Sequence, residues 1–364
     1  MNKGENKLRI GVDVRMLKSS GIGKVIENIL IRMIPMKPEW DFYLIGKSKE
    51  IKEVLFANKN NVHIIECDCP IYSIKEQLIM PLKIPANIDC FWSPHYNVPI
   101  FYRGKLIVTI HDLAHLALKD ISKSILKRAY ANIMFRLVSY KAKKIICVSN
   151  FTRSELIKYI PNADQNKITV IYNGVDEKWR NIKKEKSPHP HPYFVFVGNI
   201  KPHKNLHRLI DAYKMVADNI KQDLVLIGKR EGFITGENNI LETIKGFEKR
   251  IFFTGYVSDE ELMQYVVNAD VLIFPSIYEG FGLPPIEAMA AGVTSFVSNI
   301  ASMPEICGEY VRYFSPYSEK EIADCMMLNH RIDKELLMIY AAKYKWDKSV
   351  AAYISIIDKA VKEK

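Results

Sequence analysis

Two carboxylates, Glu279 and Glu287, stand with seven residues between them, Gly280-Phe281-Gly282-Leu283-Pro284-Pro285-Ile286. Their neighbours decide what they can do. Val271-Leu272-Ile273-Phe274 reads as a buried parallel strand. Ala288-Met289-Ala290-Ala291 reads as helix, and Pro284 and Pro285 suit a first helical turn, where a missing N–H costs nothing. A strand end, a glycine loop and a helix N-terminus together attract anions, because several N–H groups and the positive end of the helix dipole point one way. Gly280 and Gly282 let the backbone approach a ligand. A carboxylate beside such a cradle is repelled by phosphate and instead accepts hydrogen bonds from hydroxyls. Two carboxylates flanking a phosphate cradle suit a sugar nucleotide, with the ribose on one side and the hexose on the other.

Other stretches repeat the logic of a strand followed by a ligand loop. Tyr193 to Gly198 is a buried strand, and Asn199-Ile200-Lys201-Pro202-His203-Lys204-Asn205 follows it before a helix. A nucleoside diphosphate that leaves as a glycosidic bond breaks gains negative charge. Either a divalent metal or fixed cations must stabilise it. No DxD-like metal signal stands out, so cations are expected and Lys204 is the choice. His111 falls at the carboxyl end of the strand Val108-Thr109-Ile110, where open α/β sheets bind ligands. There it would donate to a sugar hydroxyl or orient the acceptor, with Asp112 holding the loop. By the same rule Ser93 to Pro99, with Tyr96 and Asn97, is an acceptor-site candidate. The dinucleotide fingerprint fails near Gly21 and Gly23, where Ile26 replaces its third glycine. The P-loop fails at Gly46-Lys47-Ser48, where Asp41 stands in place of its first glycine.

The stretch Tyr278 to Glu287 resembles the Glu-x7-Glu motif of family 4 of the retaining glycosyltransferases, which have the two-domain GT-B fold. The resemblance runs from Gly21-Ile22-Gly23 to Trp346 and is strongest between Gly198 and Glu287. It implies transfer of a hexose from a nucleotide diphosphate to an acceptor hydroxyl. A front-face route, with the leaving phosphate taking the acceptor proton, suits a site without an evident nucleophile. On this resemblance Glu287 is expected to bind the ribose hydroxyls. Glu279 is expected to bind the hexose and stabilise positive charge on it, and Lys204 to hold the pyrophosphate. Phe281, Gly282 and Leu283 would offer backbone N–H groups, Tyr256-Val257 would lie against the nucleobase, and a loop at Gly21 and Gly23 would close over the donor phosphate. The family's histidine beside the transferred sugar matches His111. The chain departs from the family at Asn199, where many members have Arg, and at His203, where others read Pro-Arg-Lys-Asn. A second charge would then come from Lys24, Arg15 or a protonated His203. The Pro-x-Lys-Asn form resembles bacterial mannosyl- and rhamnosyltransferases of surface polysaccharides, which makes mannose from GDP-mannose the first expectation. Alternatives are a rhamnosyl-, glucosyl- or N-acetylglucosaminyltransferase of this family, or a non-catalytic nucleotide-sugar-binding protein of this fold.

The 364 residues suit two domains of ordinary size. The expected class is α/β, with two Rossmann-like α/β/α domains facing a cleft: residues 1–185 for the acceptor, 186–345 for the nucleotide sugar. Residues 346–364 would form a helix. In the family that helix crosses back to the first domain, although packing within the second fits the sequence equally. Lys183 to Pro192 reads as a linker. His189 and His191 stand in its proline-rich part and are not read as a metal site, so no metal and no cofactor are expected beyond the sugar nucleotide. Six cysteines without a CxxC pair read as buried thiols in a reducing cytosol. No apolar run reaches the ~20 residues that span a bilayer. The net charge of +11 permits nucleic acid, anionic membrane or an anionic ligand as partner. The cations concentrate between Lys119 and Lys144, interleaved with apolar residues at helical spacing, and no nucleic-acid motif appears. That segment is expected to be an amphipathic helix docking the protein to the inner face of the plasma membrane, near a glycan or lipid-linked acceptor. No nucleic-acid partner is expected.

Overall fold

Near-continuous runs of β-branched and aromatic residues, the mark of strands covered on both faces, form two parallel sheets. In the computed structural model, which describes residues 7–118, 125–228, 243–328 and 331–363, the first sheet holds β1 (Arg9–Asp13), β2 (Asp41–Gly46), β3 (Val62–Glu66), β4 (Cys90–Ser93), β5 (Leu106–Ile110), β6 (Lys144–Cys147) and β7 (Ile168–Val170). Their order is β3-β2-β1-β4-β5-β6-β7. The second sheet holds β8 (Tyr193–Val197), β9 (Asp223–Ile227), β10 (Ile251–Gly255), β11 (Val271–Phe274), β12 (Ser295–Ser298) and β13 (Arg312–Phe314), in the order β10-β9-β8-β11-β12-β13. Strand β13 is a three-residue edge strand that periodicity does not reveal. In each sheet the strand order reverses once, between β1 and β4 and between β8 and β11. Doubly wound sheets bind ligands at such a reversal, beyond the strand ends.

The chain divides into two units, one running to Gly174 and resuming at Trp346, the other Val175–Lys345. Residues 175–185 thus belong with the second unit. There the Glu185 N–H donates to Gln264 Oε1 (3.1 Å), and Gln264 Nε2 donates to the Lys183 carbonyl (3.0 Å). The helix Trp346–Lys362 completes the core of the first unit. Trp346, Val350, Tyr353 and Ile357 are buried there with Ile10, Ile26, Leu30 and Trp92. Trp92 Nε1 donates to Thr109 Oγ1 (3.0 Å), which lies 3.1 Å from Tyr353 Oη. The chain closes on itself tightly at this point: a Cβ on Gly174 would fall 2.2 Å from the Trp346 nitrogen.

The helix Asn150–Tyr159 is capped by Ser149, whose Oγ accepts from Thr152 N (3.0 Å). Ser149 holds the extended conformation that an N-cap needs. The basic stretch forms the helix Ile125–Lys141, and its residues 119–124 lie outside those described. Its apolar residues divide: Ala131, Met134, Phe135 and Val138 are buried, whereas Ile125 and Leu126 are 86% and 81% exposed. Its cations divide too. Lys127, Arg128 and Arg136 face solvent. Lys141 donates to the Ile100 carbonyl, and Lys144 pairs with Glu363 at 2.7 Å. All six cysteines are buried free thiols. No helix among the described residues is long and apolar enough to cross a membrane.

Candidate active site

Lys204 and Glu279 lie 75 positions apart, and the topology joins them. Lys204 closes a short turn, Pro202–Lys204, in the loop after β8; Glu279 lies in the loop after β11, the strand beside β8. Lys204 Nζ donates to Glu279 Oε1 in an ion pair whose two side chains are each 15% exposed, and Nζ sits 5.1 Å from the centre of the Phe274 ring. The loops are tied independently of that pair. The Ile277 N–H donates to the His203 carbonyl (2.8 Å). Asn205 adopts a left-handed φ of 59°, and its Nδ2 donates to the carbonyls of Pro275 (3.1 Å) and Pro316 (2.7 Å). Asparagine tolerates that conformation better than most residues with a Cβ. Nearby, Gly198 and Gly228 meet so closely that a Cβ on Gly228 would lie 2.0 Å from the Gly198 carbonyl oxygen.

The glycine turn and the helix start form as their residues suggest. Gly282, at φ 89°, turns the chain into the helix Leu283–Ala290, with the two prolines in its first turn. A Cβ on Gly282 would meet Met303 Cε at 2.1 Å. Pro284 and Pro285 carry no N–H, so the donors at this helix start come from the Phe281-Gly282-Leu283 side. The loop is anchored from behind: Ser302 Oγ donates to the Phe281 carbonyl (3.1 Å) and Ser298 Oγ to the Ser276 carbonyl (2.6 Å). The Phe281 ring packs edge-on to Tyr344, 5.6 Å between centres. Glu287 is nearly buried on its helix. Tyr256 is exposed and Val257 half-buried in the turn after β10, just before the helix Asp259–Asn268 with its Ser258–Glu261 capping box.

The first unit has its own polar cluster at the reversal between β1 and β4. Arg15 Nη2 lies 2.6 Å from both Asp13 Oδ2 and Glu76 Oε1. Burial opposes the guanidinium charge, but the two carboxylates outweigh it and raise its pKa. Arg15 is therefore committed inside this unit and is not a loose second cation for a phosphate. Burial raises the Glu76 pKa against the pull of Arg15. Glu76 Oε2 accepts from Asn97 Nδ2 and from the N–H of Tyr72 (2.8 Å), a residue at a left-handed φ of 64°. Tyr130 Oη donates to Asn97 Oδ1. His95 Nδ1 accepts from the Asn97 N–H (3.1 Å), so Nε2 carries the proton and faces Tyr72 Oη at 2.9 Å. Burial, with His111 and His115 nearby, pushes the His95 pKa down to about 3.

The expected acceptor residues take different places in this cluster. Asn97 is buried and fully engaged. Tyr96 is buried with its ring stacked on Phe135, 4.2 Å between centres. Both side chains support the groups around them. His111 Nε2 donates to the Pro94 carbonyl (3.0 Å), which leaves Nδ1 as an acceptor, and burial lowers its pKa. It holds the 93–99 loop, so the donor role expected for it at a sugar hydroxyl cannot come from Nε2. Asp112 holds its own loop, accepting from the Ala114 N–H at 2.9 Å. Gly21 and Gly23 lie in the first turn of the helix Ser20–Met36 and not in a loop. Gly23 is needed for packing, since a Cβ would fall 2.2 Å from the Leu17 carbonyl oxygen, whereas Gly21 has open space around it. Sequence reasoning missed Tyr72 and Glu76, and it named the stretches that hold His95 and Asn205 without giving either residue a role. Asn205 stands directly before a helix, but its side chain makes no cap hydrogen bond there. Glu76 lies in the helix Ile74–Lys83, disguised by Pro81.

Residues 177–346 match the family model of glycosyl transferases group 1, and residues 87–179 match Glycosyltransferase Family 4. The chain belongs to these glycosyltransferases and has the GT-B fold. It is 29% identical over 279 residues to the O-antigen chain mannosyltransferase RfbU of Salmonella typhimurium, covering 76% of this chain and 75% of that protein. It is 27% identical over 274 residues to the serotype-specific mannosyltransferase WbdA of Escherichia coli, covering 70% of this chain and 33% of WbdA, so it matches about a third of that protein's length. Among solved structures, a glycosyltransferase from Rickettsia africae matches with a TM-score of 0.74 at 19% identity, covering 99% of this chain and 100% of that one. Anabaena HepE in complex with UDP and glucose matches with a TM-score of 0.75 at 16% identity, covering 97% and 100%. At these identities the structural likeness is one of fold.

Proposed function

We propose that this glycosyltransferase moves mannose from GDP-mannose to a hydroxyl of a glycan or lipid-linked acceptor in surface-polysaccharide synthesis, with retention and without a catalytic metal. The observation that carries the reading is the Lys204–Glu279 pair beyond the ends of β8 and β11, beside the Gly282 turn. Without a donor each charge compensates the other. A bound pyrophosphate competes for Lys204, and Glu279 is then released to accept hydrogen bonds from sugar hydroxyls and to face the positive charge of an oxocarbenium-like transition state. Lys204 and the N–H groups of residues 281–283 offset the charge on the departing diphosphate, the task a divalent ion would otherwise do. Glu287 takes the ribose. The choice of mannose rests on the names of RfbU and WbdA and on the Pro202-His203-Lys204-Asn205 loop. The protein would work in the cytoplasm at the membrane face, with Ile125 and Leu126 entering the lipid and Lys127, Arg128 and Arg136 meeting its headgroups.

The test is a thermal-shift panel against GDP-mannose and UDP-, dTDP- and ADP-linked sugars, with and without EDTA. At 100 times its dissociation constant a ligand adds ~2.7 kcal/mol to stability. GDP-mannose should raise the melting temperature with EDTA present, and Glu287→Ala should abolish the shift. A response to another sugar nucleotide alone would overturn the donor. No response to any would overturn the function.

A further inference from the structure

The segment Pro188-His189-Pro190-His191-Pro192 brings two imidazoles to one carboxylate that is distant in sequence. His189 Nε2 lies 2.8 Å, and His191 Nδ1 2.9 Å, from Oδ2 of Asp223, the first residue of β9. The three ligand atoms lie within 4.8 Å of one another. They sit where the second sheet's strands begin, whereas Lys204 and Glu279 follow strand ends. We propose that His189, His191 and Asp223 form a structural site for a divalent cation of the zinc class, which pins the segment preceding β8 to the sheet.

Two imidazole nitrogens and one carboxylate oxygen are a donor set suited to zinc. With metal–ligand bonds near 2.0–2.2 Å, a tetrahedral site holds its ligand atoms roughly 3.3 Å apart. To admit an ion the two histidine–carboxylate contacts open slightly, and the two ring nitrogens, which lie within 4.8 Å of each other, close by up to roughly 1.5 Å. The surrounding residues hold the donors in place. The His189 ring is held edge-on by Phe252 (4.6 Å between centres) and Tyr193 (5.4 Å), and Ser187 Oγ donates to the His189 carbonyl (2.7 Å). Pro190 limits the backbone between the two rings. Arg250 Nε donates to Asp223 Oδ1 (2.7 Å), and its other nitrogens donate to the carbonyls of Ala217, Ile220 and Gln222. Arg250 thus fixes the carboxylate and leaves Oδ2 as a single ligand atom, the orienting work that outer groups do in metal sites. Its charge opposes the ion, so the expected affinity is that of a three-ligand site with an arginine beside it. The His191 side chain is 63% exposed, which provides an entry path and leaves a fourth position for water. On binding, each ring presents to the metal the nitrogen now aimed at Asp223, and the proton of a neutral ring returns to its other nitrogen through solvent.

The experiment uses the full chain without a polyhistidine tag, stripped with chelator. Zinc is titrated by calorimetry, and cobalt(II) by visible absorption. The expected result is one equivalent bound, four-coordinate cobalt bands and a raised melting temperature. His191→Ala, at an exposed position that leaves the core intact, should weaken zinc by at least about tenfold, the lower end of what losing even an outer partner costs. His63→Ala, in the first unit, should change nothing. Sugar-nucleotide binding should be equal in loaded and stripped protein, so this outcome is independent of the proposed activity. Failure to bind one equivalent, several weak equivalents only, or equal affinity in His191→Ala would overturn the site.

Discussion

Lys204 and Glu279 share one hydrogen bond, so their substitutions should not act independently. Lys204→Ala and Glu279→Ala are each expected to lower kcat by ~10²–10³, the usual cost of losing an oriented charge-stabilising group. The double variant should lose less than the product of the two, because each single change already breaks the pair. Diphosphate release under steady-state conditions measures both, and near-normal turnover in the two single variants would remove these residues from the site. His95 gives a pH prediction. Its folded pKa of about 3 lies below the ~6.5 of an unfolded histidine, so proton binding favours unfolding. Its contribution is fully present above pH ~6.5 and is lost as pH falls toward 3, at up to ~1.4 kcal/mol per pH unit. His111 shifts in the same direction. Between pH 6.5 and 5, above the carboxylate range, the melting temperature should fall, and His95→Asn should flatten that slope.

At the scale of elements, the two loops at the β8–β11 reversal are tied by Asn205 as well as by the charges they present. Its side chain satisfies the carbonyls of Pro275 and Pro316, and its backbone is left-handed. Asn205→Ala removes both hydrogen bonds and puts an alanine where φ is positive. The expected loss is ~1–3 kcal/mol, read from urea unfolding, with a fall in turnover while Lys204 and Glu279 remain in place. Unchanged stability would mean that the loops are held by other contacts. The Glu-x7-Glu segment was legible because strand, loop and helix are contiguous in sequence and each carries its own local signal. The cluster of Arg15, Glu76, Asn97 and His95 was not legible, because its members come from three segments whose proximity follows only from the order of strands.

For the whole molecule, the C-terminal helix is a component of the first unit's core. Trp346, Val350, Tyr353 and Ile357 are buried in it, each worth ~1.5–3 kcal/mol of removed apolar surface, against a domain stability of ~5–15 kcal/mol. A chain ended at residue 345 should leave the first unit unfolded or aggregated, visible as dye-binding apolar surface and lost near-UV ellipticity. A soluble, cooperatively folding truncated protein would show the helix to be dispensable.

Two α/β units, most of their strands and the glycine turn before the helix Leu283–Ala290 follow from the sequence itself, because buried parallel strands are continuous apolar runs and Gly and Pro mark the loops between them. Tertiary structure alone decided which charges meet. Strand order placed the β8 and β11 loops side by side and so paired Lys204 with Glu279. It enclosed Arg15 between Asp13 and Glu76, which withdrew it from the site. It also supplied Asp223 to His189 and His191 across 34 and 32 positions. Side-chain chemistry is written residue by residue, but electrostatics depends on distance, and distance between remote residues exists only once the sheets have formed.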